Sequence, residues 1–181
     1  YAYLGKYLFS VSMRADGSSL FAEGRKWDYF PAGSLGWRPS EEEFMKDLDW
    51  LSNLKVRVSY GITGNNDIPQ YAYMNLISTN NYVLGVGTGS LVQGMASTDP
   101  ALGNPDITWE KLGELNIGLD LGFFNSKVNL SVEHYNSNTI QMLLQQPAMY
   151  ITGHQTYWNN IGLVNNKGWE FELTTTNITR R

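Results

Sequence analysis

Apolar and polar residues alternate with a period of two through most of the chain, the signature of strands with one apolar and one polar face. In the first such segment Tyr7, Phe9, Val11, Met13 and Ala15 oppose Ser10, Ser12, Arg14 and Asp16. A second sets Trp27, Tyr29, Pro31, Gly33, Leu35 and Trp37 against Asp28, Ser34 and Arg38. The third has Leu54, Val56, Val58, Tyr60 and Ile62 facing away from Lys55, Arg57, Ser59 and Thr63. In the fourth, Leu115, Ile117, Leu119 and Leu121 alternate with Glu114, Asn116 and Asp120. Val128, Leu130, Val132 and His134 against Asn129, Ser131 and Glu133 make the fifth. A short sixth runs from about Asn159 to Val164, and the seventh sets Trp169, Phe171 and Leu173 against Glu170, Glu172 and Thr174. One helix is predicted between the second and third strands. Ser40 and Glu43 have capping-box spacing, and Phe44, Leu48 and Leu51 share one helical face. Its acidic first turn, Glu41 to Glu43, suits the positive helix end.

The connections alternate in length. Tight turns are expected at Phe124–Lys127 and Asn165–Gly168, and the helix fills a third connection of the same set. Between them fall longer segments at Gly17–Lys26, Gly64–Thr108 and Ser137–Trp158, rich in Asn, Gly, Tyr and Thr. A compact soluble domain rarely carries so long an irregular loop. A membrane barrel has this asymmetry by construction, with short inner turns and longer outer loops.

Alternation also fits a soluble β-sandwich, here a carbohydrate-binding one, so the medium on the apolar side decides between the two. The centres of the apolar faces carry no Asp, Glu, Lys or Arg, and one Lys or Arg at a bilayer midplane costs about 2–4 kcal/mol. Aromatic residues gather near strand ends on that side, at Tyr7, Trp27, Trp37, Tyr60 and Trp169, where a membrane girdle places them. Trp27 and Trp37 are separated along one face by a distance that, in a strand tilted near 40°, covers roughly 25 Å of the membrane normal. The pattern therefore predicts an all-β fold: a segment of a large antiparallel transmembrane β-barrel, with about seven strands, long outer loops, short inner turns and one short helix in an inner connection. Seven strands do not close a bacterial barrel, which takes an even number. Both ends read as cut within strands, so residues 1–181 are expected to be part of a larger barrel and not a stable soluble monomer.

Composition narrows the chemistry. The formal charge is −4, charged residues are 17% and aromatics 13%. The acidic balance and the lack of a basic run argue against nucleic acid as a partner. With no cysteine there is no disulfide, thiolate metal site or cysteine nucleophile. His134 falls on an apolar face and His154 in a loop, which gives no metal-ligand spacing. Gly85–Gly89 lacks the following helix of a phosphate loop, and Asp99 and Asp106 read as turn residues. Neither catalysis nor a cofactor is expected.

Binding candidates are the loop aromatics Tyr71, Tyr73, Tyr82, Tyr150, Tyr157 and Trp158, which lie among Asn, Gln and Thr. Flat rings beside amides and hydroxyls suit sugars, which offer C–H faces and many hydroxyl groups. On the polar strand faces Arg14, Asp16, Arg57, Glu114, Asp120 and Glu133 are candidates for lining a wet lumen, pairing with one another across strands.

Several blocks, in order, resemble SusC/RagA-type TonB-dependent outer-membrane transporters. They are Arg14–Ser19 followed by Phe21, Phe30–Arg38 running into Ser40–Lys46, and Leu54–Asn65. Asn104-Pro105 with Thr108–Glu110, Gly118–Asn125, Val128–Glu133, Asn160–Gly162 and Val164–Gly168 continue the series. Leu20, His134 and Gln141 depart from the family's usual residues at their positions. The resemblance implies a barrel of about 22 strands with a plugged lumen, of which this chain forms wall without the plug. It also implies a place in the bacterial outer membrane, import of oligosaccharides or peptides, energy from the TonB complex and a SusD-like surface lipoprotein as partner. A siderophore or vitamin receptor is the alternative within the same fold.

Overall fold

A computed structural model describes residues 1–46, 48–84, 90–97 and 101–177. In chain order the strands are β1 (Ala2–Tyr3), β2 (Tyr7–Gly17), β3 (Trp27–Trp37), β4 (Leu51–Asn65), β5 (Ile77–Leu84) and β6 (Ser90–Ser97). They continue with β7 (Ala101–Leu102), β8 (Glu110–Phe123), β9 (Val128–Ile140), β10 (Leu143–Pro147), β11 (Thr156–Asn160) and β12 (Leu163–Thr175). One seven-stranded sheet has the order β1-β2-β3-β4-β8-β9-β12, antiparallel throughout. The remaining strands lie in the long connections, as a β10-β11-β7 sheet and a β5-β6 hairpin. In the seven-stranded sheet six strands, β2, β3, β4, β8, β9 and β12, have 11 to 15 residues each. A tilted transmembrane strand needs about 9–11 residues, so several outrun the hydrocarbon layer.

Paired residues share a face, and the register therefore writes the apolar side as rows. One row is Phe9, Leu35, Val58, Ile117, His134 and Trp169. The next, nearer the tight turns, is Tyr7, Trp37, Val56, Leu119, Val132 and Phe171. Much of this side stays open: Phe9 is 52% exposed, Leu35 60% and Phe171 71%. No second layer covers this side among the described residues.

The borders of the apolar band slant across the sheet. On β3 the aromatics Tyr29 and Trp27 lie beyond Leu35 toward the long-connection end; on β4 Tyr60 lies one pair beyond Val58. On β12 Trp169 is in the row itself, and the next positions on that face, Asn136 and Lys167, are polar. At the opposite border, Tyr7 and Trp37 mark β2 and β3, whereas β8 reaches further to Phe123, stacked on Trp50 at 5.9 Å and 7°. Both borders drift the same way. Strands tilted near 40° and spaced about 4.8 Å apart shift a level band by about 4 Å along each successive strand, in the sense of this drift.

The turn at Phe124–Lys127 is as predicted, with Phe124, Asn125 and Ser126 all at positive φ. Three expectations change. The predicted helix is two short 3-10 turns, Pro39–Glu41 and Glu43–Met45. Ser40 makes no capping bond; its hydroxyl donates to the Leu54 carbonyl at 3.3 Å, and Leu51 belongs to β4. Asn165–Gly168 is strand, not turn: these residues pair with Tyr135–Asn138, and the chain bends instead at Gly162, φ 93°. The expected sixth strand is accordingly divided between β11, in its own sheet, and the start of β12.

Candidate functional site

At the long-connection end the three long connections share a small apolar core. Phe21 and Ile107 are fully buried, and Phe30, Ile68, Trp109 and Leu143 nearly so. Phe30 comes from the polar side of β3, the side of Arg14, so the loops fold over that side and not over the apolar one. Trp109 is the hub: its ring lies 5.3 Å from Phe21 and 5.5 Å from Phe30, and its Nε1 donates to the Lys26 carbonyl at 3.1 Å. Gly64 makes room for Phe30; a Cβ there would stand 2.1 Å from the ring.

Asparagine and glutamate side chains stitch the loops together where no regular ladder can satisfy the backbone. Asn160 accepts from the Thr108 amide at 2.7 Å and donates to the Thr108 and Gln141 carbonyls. Asn104 donates to the Trp158 carbonyl at 2.8 Å, and Asn66 to the Ser18 hydroxyl at 3.0 Å. Glu110 accepts from the Leu143 amide at 2.9 Å and from Asn65 at 3.3 Å. Sequence reasoning missed this assembly as a site, although Ser18, Phe21, Phe30, Gly64, Asn104, Trp109 and Asn160 all lie in the blocks that carry the family resemblance.

The structure separates the aromatic binding candidates. Tyr73 and Trp158 pack against the loop core. Tyr71 is 54% exposed, and Tyr71 and Trp158 together border a recess of about 260 Å³. Tyr157 sits half-buried in β11, paired with Gln146. Tyr150 stands apart at a loop tip, 92% exposed. The Tyr82 side chain, Gly85–Gly89 and Asp99 lie outside the described residues.

Arg14, Asp16, Arg57, Glu114, Asp120 and Glu133 share the polar face, as the alternation predicts. Arg57 lies at the centre of a cross-strand network. It pairs with Glu133 and with Asp120 at 3.2 Å; Ser131 donates to Asp120 at 2.8 Å and Asn116 to Glu133 at 3.1 Å. Arg14 pairs with Asp16 on β2. Among the girdle candidates, Tyr7 and Trp37 reach the 3-10 connection, where Glu42 accepts from Lys6 at 2.8 Å, Tyr7 at 2.8 Å and Trp37 at 3.5 Å. Trp27 and Tyr60 lie on the open apolar side, 69% and 52% exposed. Trp169 packs against the His134 ring at 4.6 Å, and His134 Nδ1 meets the Gly168 carbonyl at 2.8 Å. Among the described residues no group of three or more His, Asp or Glu is placed to hold a metal.

An antiparallel meander with one uncovered apolar side, aromatic borders and loops gathered at one end is the wall of an outer-membrane β-barrel. The chain belongs to the family described as TonB dependent receptor-like, beta-barrel, which matches residues 1–179, and its place is the bacterial outer membrane. It is 40% identical over 173 residues to TonB-dependent receptor P39 of Formosa agariphila, covering 96% of this chain and 16% of that protein. To TonB-dependent receptor SusC of Bacteroides thetaiotaomicron it is 35% identical over 175 residues, 96% of this chain and 17% of SusC. The solved RagAB peptide importer in its closed-closed state superposes with a TM-score of 0.82 at 30% identity, covering 97% of this chain and 18% of that one. The chain thus spans less than a fifth of the length of these relatives.

Proposed function

We propose that residues 1–181 are wall and outer-loop segment of a TonB-dependent transporter that imports oligosaccharides or peptides with a SusD-like surface lipoprotein. The observation that supports it most is the division of labour between the two sides of one sheet. The apolar side, bordered by Tyr7, Trp27, Trp37, Tyr60 and Trp169, meets lipid. The polar side, with Arg14, Asp16, Arg57, Glu114, Asp120 and Glu133, lines a wet lumen, and the stitched loops cover its outer mouth. The similarity to SusC and to a solved peptide importer supports the cargo class. Plug and TonB-contacting segments would lie elsewhere in the whole protein, and transport would proceed by gating the lumen and not by covalent chemistry.

Deleting the full-length gene, the TonB gene or a neighbouring SusD-like gene should each abolish growth on the same glycan or peptide mixture. Loss of growth only under iron or vitamin limitation would instead mark a siderophore or vitamin receptor.

A further inference from the structure

The loop end holds a recess with the walls of a sugar subsite. It lies between the 69–74 segment, β7 and the β10–β11 pair, has a volume of about 260 Å³, and is lined by Pro69, Tyr71, Met74, Leu102, Gln145 and Trp158 among others. This is a little below the range of pockets for drug-sized ligands, about 300–1,000 Å³, and fits one ring. No acidic or basic side chain lines it among the described residues.

Its walls are held in place. The Gly103 amide donates to Asn75 at 2.7 Å and the Asn104 amide to the Ala72 carbonyl at 3.0 Å. Asn104 ties the same segment to Trp158. Gly103 lies so close to the opposite strand of chain that a Cβ would approach the Met74 carbonyl carbon to 2.3 Å. Tyr71 has φ 63°, with its carbonyl accepting from the Met74 amide at 2.8 Å. Glycine or asparagine takes that conformation at less cost, so a half-exposed tyrosine there retains its side chain against backbone preference, as residues at binding sites do.

The geometry points to a subsite for one neutral sugar ring of an oligosaccharide, with Tyr71 and Trp158 against the C–H faces and Gln145 meeting hydroxyl groups. This rests on the transporter reading above. The described lining offers no counter-ion to the ends of a short peptide, whereas pyranose hydroxyls need only neutral donors and acceptors beside apolar walls.

The test uses the full-length transporter in detergent, probed with an array of neutral oligosaccharides, a neutral-side-chain tetrapeptide and a ferric hydroxamate. Wild type should bind a subset of the oligosaccharides. Tyr71→Gly should weaken that binding at least tenfold while melting no lower than wild type, and Gln145→Ala should weaken it several-fold. Ile151→Ala, at the exposed loop tip and outside the lining of the recess, should leave it unchanged. Oligosaccharide binding that survives Tyr71→Gly overturns the subsite and leaves the transporter reading standing. Binding of the tetrapeptide but of no oligosaccharide overturns the sugar assignment. Binding of the ferric hydroxamate alone overturns both.

Discussion

Arg57 lies across Gly118: a Cβ on Gly118 would approach the guanidinium Cζ and Nε to 2.7 Å and Cγ to 2.8 Å. Register makes the two residues direct partners on β4 and β8, so the missing side chain lets the arginine run flat over the sheet to Glu133 on β9. Gly118→Leu should lift Arg57 off both carboxylates. We expect a loss of about 1–3 kcal/mol in the full-length barrel, the cost of leaving partly buried charged groups unpaired, read as a lower melting temperature. Gly36→Leu, on the same row, serves as comparison, because the three atoms nearest a Cβ there all belong to Leu8, the closest at 3.3 Å, and none to Arg57.

The two sides of the sheet should respond oppositely to charge. Leu35→Arg places a cation in the row with Val58 and Ile117 and should destabilise the membrane-inserted protein by about 2–4 kcal/mol if that row lies near the midplane. Ser34→Arg, one residue away on the polar side, should be nearly neutral. Urea titration of the full-length protein in lipid vesicles gives both values.

The loop core should be separable from the wall. Trp109 is 5% exposed and contacts both Phe21 and Phe30. Trp109→Ala should cost about 3–5 kcal/mol locally while the strands stay paired. Limited proteolysis should then cut within the 17–27 and 66–109 connections of the variant but not of wild type, with barrel heat-resistance on gels retained.

Acid should loosen the tight-turn end through Glu42. Hydrogen bonds from Lys6 first, then Tyr7 and Trp37, hold its carboxyl below the usual carboxylate range, and Glu42 in turn raises the Lys6 ammonium. A lowered folded-state value means stabilisation present above the unfolded value of 4.5 and lost as pH falls through the lowered one. The raised Lys6 contribution is present below 10.5 and lost as pH rises through its folded value. Amide exchange in residues 2–9, after allowance for the intrinsic pH dependence, should accelerate below about pH 4.5 in wild type; Glu42→Gln should show fast exchange at all pH values with no acid step.

Strands were legible wherever one face meets lipid, because there every second residue must be apolar, as from Tyr7 to Met13 or Val56 to Ile62. Beyond the aromatic border that demand ends. Asn165, Asn166, Lys167 and Gly168 look like turn residues for that reason, yet they continue β12, with Asn165 bridging Asn136 and Asn138 at 2.6 and 2.7 Å. The helix failed for a local cause: Pro39 opens a short 3-10 turn, and Leu51, read as its last apolar contact, is drawn into β4 by pairing with Phe123. The loop core left little trace in the pattern. Ile68 and Ile107 stand alone beside polar neighbours and Phe21 lies between Leu20 and Ala22 with no period, and only the chain's return through three connections brings them together. Pairing of Arg57 with Asp120 and Glu133 followed from face assignment, whereas its passage over Gly118 needed the register.

The central claim is that hydrocarbon wets the uncharged side of β4. Spin labels on single cysteines at positions 54 to 61, introduced into the full-length protein in vesicles with any other cysteine removed, test it through relaxation by oxygen and by a water-soluble nickel chelate. Positions 54, 56, 58 and 60 should be reached by oxygen and shielded from nickel, with 55, 57, 59 and 61 showing the opposite and the period of two unbroken. Equal access to nickel on both sets, or shielding of both reagents at 56 and 58 by packed protein, would contradict it.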